Sequence, residues 1–226
     1  MWTPDVPLGP RTTLGIGGAA PHFAAPATIE EASAALAEAH AQGWAVRILG
    51  GGSNTLVPTA GLPHDTAVIQ LGGLDTILVG KGRMVLGAGV PTPKAVARAA
   101  QAGLAGLNPV AGVPGQIGGA VAMNAGTPEG EFWDVIESVA LLDPDGAVRE
   151  ANRADCEPAY RDGRLGDAVC VEVTLGLASG DKASLTGDLQ ERLQHRRRTQ
   201  PVSESSAGCA FRNPEGSGAG RLLDEA

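Results

Sequence analysis

The chain has 226 residues and a formal net charge of −8, with 43% hydrophobic but only 3% aromatic residues. This length suits one or two domains, and the acidic balance argues against nucleic acid as a partner. It has no apolar run of about 18 residues and no signal-peptide pattern, so we expect no membrane segment. Its three cysteines and four histidines lack metal-ligand spacing, which predicts no metal site and a reducing, cytoplasmic location.

Predicted elements begin with Thr28 and Glu31, a capping box that opens a helix ending at Gly43. A strand over residues 44–49 leads into Gly50-Gly51-Gly52-Ser53-Asn54, and short strands follow at residues 66–71, 76–79 and 84–86. Thr92 as N-cap with Pro93 at the first helical position predicts a helix that ends near residue 103.

The second half begins with a glycine-rich loop over residues 110–126. A hairpin follows, with strands at 135–142 and 147–150 around an Asp-Pro-Asp-Gly turn. A buried strand over 168–177 precedes a helix over 185–198, which Gln200-Pro201 ends. These elements predict an α+β or α/β protein.

Two glycine-rich segments carry the functional signal: residues 50–54, and residues 110–126, which contain five glycines and no charge. Surface loops are normally polar, so an uncharged glycine loop indicates close backbone approach to a large ligand. Residues 50–54 lack the lysine of a Walker loop and the glycine spacing of a Rossmann turn. A nest of backbone N–H groups for pyrophosphate remains. A tight turn explains residues 50–54 alone slightly better than a ligand site does, but the pair of loops favours a phosphate-bearing cofactor.

Five segments then occur in a recognisable order: RTTLGIGG (11–18), ILGGGSNTLV (48–57), NPVAGVPGQIGGAVAMNAG (108–126), AYRDG (159–163) and SAGCAFRNP (206–214). Together they resemble the UDP-N-acetylenolpyruvoylglucosamine reductase family, flavoenzymes that complete UDP-N-acetylmuramate for bacterial peptidoglycan. The resemblance extends from about residue 12 to the last residue. It implies an α+β FAD-binding fold of the vanillyl-alcohol-oxidase type, with subdomains at residues 1–62 and 63–180 and a substrate-binding domain beginning at 181–226.

The resemblance also implies the chemistry. NADPH reduces a non-covalently bound FAD, hydride passes to the enolpyruvyl double bond of the UDP-sugar, and an acid protonates the neighbouring carbon. The implied cofactor-binding residues are Gly50, Gly51, Gly52, Ser53, Asn54, Val113, Pro114, Gly115, Ile117, Gly118, Gly119, Asn124 and Gly126. The implied substrate-binding residues are Tyr160, Arg161, Arg212 and Asn213, of which Arg161 also stabilises developing negative charge.

Cys209 is the implied proton donor, at a position where the family most often carries serine. A thiol, with an ordinary pKa of about 8.5, is intrinsically the better acid, although it must be neutral to donate. The alternative for Cys209 is a buried structural cysteine, a role that suits Cys170 on its apolar strand better.

Other features leave alternatives open. Family members continue beyond the sequence 217–226 and supply a catalytic glutamate with no counterpart here, so we expect a fragment or a reduced third domain. The short spacing from Gly163 to Cys209 resembles the compact members of the family, whose substrate domain lacks an extra loop and a larger insertion. The basic run 194–198 is either a solvated last helical turn or a surface attracting UDP-sugar or NADPH. Another flavin oxidase of this fold, acting on hydroxy acids or sugars, and a binding module without turnover are the competing functions.

Overall fold

A computed structural model describes residues 1–206, 208, 211–214 and 216–226. The strands are β1 (Thr3–Pro7), β2 (Ala19–Ala24), β3 (Ala45–Leu49), β4 (Thr66–Gln70), β5 (Ile77–Gly80), β6 (Arg83–Gly87), β7 (Leu104–Ala105), β8 (Gly126–Thr127), β9 (Gly130–Glu131), β10 (Ile136–Leu142), β11 (Val148–Ala151), β12 (Val169–Gly176) and β13 (Ala178–Ser179). The helices are α1 (Ile29–Ala41), α2 (Thr92–Ala102), α3 (Ile117–Ala122), α4 (Arg153–Cys156), α5 (Lys182–Thr199) and α6 (Ala219–Asp224). The predicted α+β class is confirmed.

The strands form two main sheets. The first has the order β1-β2-β4-β3, in which β2, β4 and β3 are parallel and β1 is antiparallel to β2. The second, β11-β10-β12-β6-β5, is antiparallel throughout. Because β4 belongs to the first sheet, this sheet extends to residue 70.

The first sheet contains two strands that the sequence did not predict. β1 contains Pro4 and Pro7 and is largely exposed, and β2 contains Pro21. Proline removes a backbone donor and normally argues against a strand, but an edge position tolerates it. β1 is such an edge, so its pairing with β2 gave no recognisable pattern of its own.

The core consists of aliphatic residues, as the low aromatic content requires. Ala32, Ala35 and Leu36 of α1 pack with residues of both sheets, including Ile69 of β4 and Val171 of β12. A larger cluster joins β6, β10 and β12 to α2, α3 and the segment with Phe132 and Trp133. Within the described ranges, no helix is both long and apolar enough to cross a membrane.

The capping contacts of α1 and the first residues of α2 and α5 differ from the prediction. Thr28 accepts from Glu31 N as expected (3.2 Å), but the Glu31 carboxylate accepts from Ala27 N rather than from the cap residue. α2 has Pro91 as N-cap and Thr92 as its first residue, because the extended Pro91 pairs with Gln116. α5 begins three residues before the predicted start, where the Asp181 side chain accepts from the Ser184 N–H. Asp181 is therefore the N-cap of α5, a residue type that favours this position.

The glycine stretch 110–126 is also not a single loop, since it contains α3. Glycines weaken a helix, which is why the sequence predicted irregular structure there. Packing compensates, because Ile117 and Val121 are fully buried against the second sheet.

Cys170 gives β12 a pH-dependent contribution to stability. The thiol is 4% exposed, and burial raises its pKa from 9.0 to about 12. Above pH 9 the unfolded chain loses this proton while the folded chain keeps it, so stability falls as pH rises towards 12, by about 1.4 kcal/mol per pH unit. We expect Cys170→Val to lessen the loss of unfolding free energy between pH 8 and pH 10.5 in urea titrations. Equal losses in variant and wild type would contradict this role for Cys170.

Candidate functional site

The first glycine loop follows β3 and packs against the amino-terminal motif RTTLGIGG. Gly52 has φ +67°, and a Cβ added there would overlap Arg11 O and lie 2.6 Å from Thr12 Cα. Thr13 N donates to Gly52 O at 3.1 Å. Only glycine fits this conformation and this close approach, so residues 11–13 determine the shape of the loop.

The second glycine loop lies directly against the first. Gly115 has φ +95°, and a Cβ added to it would lie 2.5 Å from Ser53 Oγ. A Cβ added to Gly51 would lie 3.4 Å from Gly115 Cα. The structure therefore brings together the two segments whose pairing in one site the sequence indicated.

The segment after β6 holds the second loop in place. Thr92 N donates to Gly115 O (3.0 Å), Ile117 N to Val90 O (2.9 Å) and Gly118 N to Ala88 O (2.8 Å). The Ile117 and Gly118 N–H groups therefore bind the protein's own carbonyls, and a contact of these two residues with the cofactor stays a prediction. Their side of the loop faces the core.

The glycines of this motif also differ in what they contact. A Cβ added to Gly118 would lie 2.9 Å from Ala88 Cβ, so Gly118 permits packing of α3 on the protein. A Cβ added to Gly119 would have no protein atom within 4 Å, and Gly119 and Pro114 are exposed. Val113 packs at the edge of the large core cluster. Gly51, Pro114 and Gly119 are exposed and Gly50, Ser53 and Gly115 are half-buried, so these residues present a surface that is open to a ligand.

Two buried oxygen atoms beside Gly115 have no hydrogen-bond donor among the described residues. They are Gln116 Oε1 and Thr92 Oγ1, and Thr92 is fully buried. Leaving a buried polar atom unpaired costs roughly 1–3 kcal/mol. Such atoms next to two glycine loops fit a bound polar cofactor that supplies the partners. Gln116 was not among the predicted site residues, although it is the one polar side chain between residues 110 and 123.

Arg161 lies at the far end of the second loop. Ala159 and Asp162 exchange backbone hydrogen bonds and form a tight turn, and Gly163 N donates to Ala122 O of α3. The Arg161 guanidinium donates to Gly126 O at 2.8 Å, and Nη1 lies 3.8 Å from the Glu131 carboxylate. The arginine side chain is 31% exposed. A half-buried, hydrogen-bonded cation is thus fixed where the glycine loop ends.

Tyr160 and Asn124 flank this arginine in different ways. Tyr160 is exposed, and its ring lies under the Arg161 guanidinium. The centre of the ring is 4.8 Å from Arg161 Cζ. Asn124 is 1% exposed, and its Nδ2 donates to Glu131 Oε2 (2.7 Å) and Ala159 O (3.0 Å). Both Nδ2 donors of Asn124 are therefore used within the protein. Its buried amide holds the turn containing Arg161.

Gly208, in the last predicted segment, comes close to the first glycine loop. A Cβ added to Gly208 would lie 3.5 Å from Oδ1 of the exposed Asn54. Cys209 lies outside the described residues. Arg212 is exposed, whereas Asn213 Oδ1 accepts from the first N–H of α6 (2.9 Å), a contact that holds a helix.

The basic run on α5 divides into two parts. Arg197 and Arg198 are exposed, as a solvated helix end predicts. Arg196 instead lies over the second glycine loop: a Cβ added to Gly112 would be 2.7 Å from its Cδ, and burial lowers the pKa of Arg196. In the described part of the chain, no three His, Cys, Asp or Glu side chains form a group suited to a metal.

Sequence comparison with known proteins finds an FAD-binding family and named reductases. Residues 20–152 match the family described as FAD binding domain. The chain is 42% identical to the UDP-N-acetylenolpyruvoylglucosamine reductase of Anaeromyxobacter sp. (strain Fw109-5), over 97% of this chain and 69% of that protein. It is 36% identical to the enzyme of the same name from Halalkalibacterium halodurans, over 97% of this chain and 73% of that protein.

Solved structures agree. The crystal structure of UDP-N-acetylenolpyruvylglucosamine reductase from Thermus caldophilus has 36% identity and a TM-score of 0.83, covering all of this chain and 80% of that one. A glucose dehydrogenase, Phl p 4.0202, has a TM-score of 0.57 over 72% of this chain at 14% identity, a likeness of fold alone.

Proposed function

Because the chain belongs to the UDP-N-acetylenolpyruvoylglucosamine reductase family, we propose that it reduces UDP-N-acetylglucosamine enolpyruvate to UDP-N-acetylmuramate for peptidoglycan, with FAD as cofactor and NADPH as reductant. The observation that supports this most is the contact between Gly51 and Gly115, with Arg161 held at the end of the same loop. We also expect the reaction to take place in the cytoplasm.

The residues present fit FAD. Gly50, Gly51 and Ser53 would approach its pyrophosphate from one side and Gly115 from the other, and neither Gly51 nor Gly115 has a Cβ where the two loops meet. FAD, when bound, supplies the two-electron centre that takes hydride from NADPH and passes it to the enolpyruvyl double bond. The first sheet, through residue 70, and the second, through residue 180, would form the two FAD subdomains, and residues 181–226 would begin the substrate-binding domain.

Arg161 would stabilise the charge that forms on the substrate. Addition of hydride to the terminal carbon of the enolpyruvyl group leaves an electron pair on the carbon bearing the carboxylate. A guanidinium is suited to that carboxylate and to the charge spread over it. The Gly126 and Asn124 carbonyls hold Arg161 and fix its direction before substrate binds.

Cys209 would complete the reduction. Its neutral thiol donates a proton to the carbon bearing the carboxylate, and the resulting thiolate takes a proton back from solvent. Gly208, the residue before it in sequence, lies beside Asn54 of the first glycine loop, and this contact supports the proposal. Tyr160 and Arg212 are exposed and available to the UDP-sugar.

Arg161→Lys is expected to lower kcat about a hundredfold, because lysine cannot reproduce the fork of guanidinium contacts with Gly126 O and Asn124 O. Bleaching of the flavin absorbance by NADPH should keep its wild-type rate, whereas recovery with the enolpyruvyl sugar slows. Stopped-flow absorbance measures both. Equal slowing of both half-reactions, or loss of FAD, would assign Arg161 a structural role instead.

The experiment that tests the function itself is NADPH oxidation followed at 340 nm with and without the enolpyruvyl sugar. Consumption that depends on the sugar, with UDP-N-acetylmuramate as product, is the expected result. Consumption of O2 with hydroxy acids or simple sugars would identify an oxidase of the same fold. Binding of FAD and UDP-sugar without turnover would identify a binding module.

A further inference from the structure

Gln116 is the most unusual polar side chain of the candidate site. It lies in an otherwise apolar stretch, and its Oε1 is buried with no hydrogen-bond donor among the described residues. Burying the carbonyl of a glutamine without a hydrogen-bond partner costs desolvation free energy that an apolar residue would avoid. The protein fold alone does not explain this choice of residue.

The Gln116 amide lies between two loops that follow neighbouring parallel strands. Its Oε1 is 3.4 Å from where a Cβ on Gly50 would be, after β3, and its Nε2 is 3.6 Å from the same point on Gly72, after β4. Both of these positions are glycine, so no side chain from either loop fills the space beside the amide. Its backbone is fixed by the Ile117 N–H to Val90 O bond and by pairing with Pro91.

The chemistry of the two ends of the amide restricts what can bind there. Phosphate oxygens at neutral pH are acceptors, so they can pair with Nε2 but not with the Oε1 carbonyl. The oxygen needs an O–H or N–H group. The groups of FAD that adjoin the pyrophosphate carry hydroxyls, on the ribityl chain and on the ribose.

We propose that the Gln116 side chain is a cofactor-binding residue whose Oε1 accepts from a ribityl or ribose hydroxyl of FAD, beside the pyrophosphate between the two glycine loops. This proposal rests on the FAD binding described above. It assigns to a side chain a selectivity that the backbone N–H groups of the loops cannot supply, because those groups recognise only acceptors.

The test compares FAD affinity with apoprotein stability for wild type, Gln116→Met and Gln116→Glu. Methionine keeps the length and removes both polar atoms. It should weaken FAD binding about five- to tenfold, the loss of a single hydrogen bond, while the melting temperature of the apoprotein stays equal or rises. Glutamate is nearly isosteric and places a negative charge beside the pyrophosphate, so it should weaken binding more. Quenching of flavin fluorescence on titration of apoprotein gives each Kd.

The matched control is Gln101→Met, the same substitution at an exposed position of α2. It should leave the FAD Kd unchanged. Competition by FMN and by ADP identifies the hydroxyl. Gln116→Met should weaken the binding of FMN if Oε1 accepts from the ribityl chain, and the binding of ADP if Oε1 accepts from the ribose. FAD Kd values within twofold of wild type for both Gln116 variants would overturn the proposal, as would a fall of apoprotein melting temperature that parallels the loss of affinity. Wild-type protein that binds no FAD would instead overturn the proposed function.

Discussion

Cys209→Ala is expected to reduce product formation by about a hundred- to ten-thousandfold while NADPH still bleaches the flavin absorbance at the wild-type rate. A general acid contributes about 10²–10⁴ to a rate, and alanine cannot donate a proton. Hydride transfer from NADPH does not need this proton, so the two half-reactions should separate. Rapid-mixing absorbance under anaerobic conditions, first with NADPH and then with the enolpyruvyl sugar, measures each step.

The matched variant is Cys209→Ser, which restores the hydroxyl most often found in the family and should retain activity. Cys156→Ala controls for the loss of a thiol elsewhere in the protein. Cys156 is buried, and burial raises the pKa of its thiol. If Cys209→Ala slows flavin reduction by NADPH as much as product formation, the assignment of Cys209 as the acid is wrong.

Gly115→Val is expected to abolish stable FAD binding. At φ +95° a β-branched residue is strained, and its Cβ would lie 2.5 Å from Ser53 Oγ of the facing loop. Left-handed strain of about 1–2 kcal/mol and overpacking of about 1–3 kcal/mol together correspond to a loss of affinity of at least about thirtyfold. The loops must separate to accept the side chain. Retention of flavin absorbance through gel filtration measures the effect.

Gly187→Ala is the control, since it is also a glycine substitution. Gly187 lies within α5, and a Cβ added there meets no atom within 4 Å. Alanine should raise the free energy of unfolding by about 0.5–1 kcal/mol through helix propensity and leave FAD binding unchanged. A Gly115→Val protein that retains FAD with wild-type affinity would show that close contact of the two loops is not required for the cofactor.

The motifs predicted this site because glycine has a strong physical signature. Gly52 and Gly115 adopt left-handed conformations and allow contacts that any side chain would block, so their spacing indicated two loops at one ligand. Tertiary hydrogen bonding is less visible in a sequence. The amides of Ile117 and Gly118 bind carbonyls of the segment 88–90, nearly 30 residues earlier, and no local pattern announces such a pairing.

The same reason explains side-chain contacts that the sequence did not predict. Asn124 looked available to a cofactor, yet Glu131 and Ala159 use both of its N–H donors. Gln116 was passed over as part of an apolar run, although a polar residue placed there alone is itself a signal. For the fold, periodic elements such as α1 and β12 were predicted closely, whereas β1 was missed because its prolines obscure an edge strand.

The central claim is that this chain binds FAD between its glycine loops and uses it to reduce an enolpyruvyl sugar. The most direct measurement is an anaerobic visible absorption spectrum of the purified protein, titrated with NADPH and then with UDP-N-acetylglucosamine enolpyruvate. Flavin absorbance that bleaches with NADPH and returns with stoichiometric sugar is the predicted result. A protein that remains colourless when FAD is added would contradict the claim at its first step.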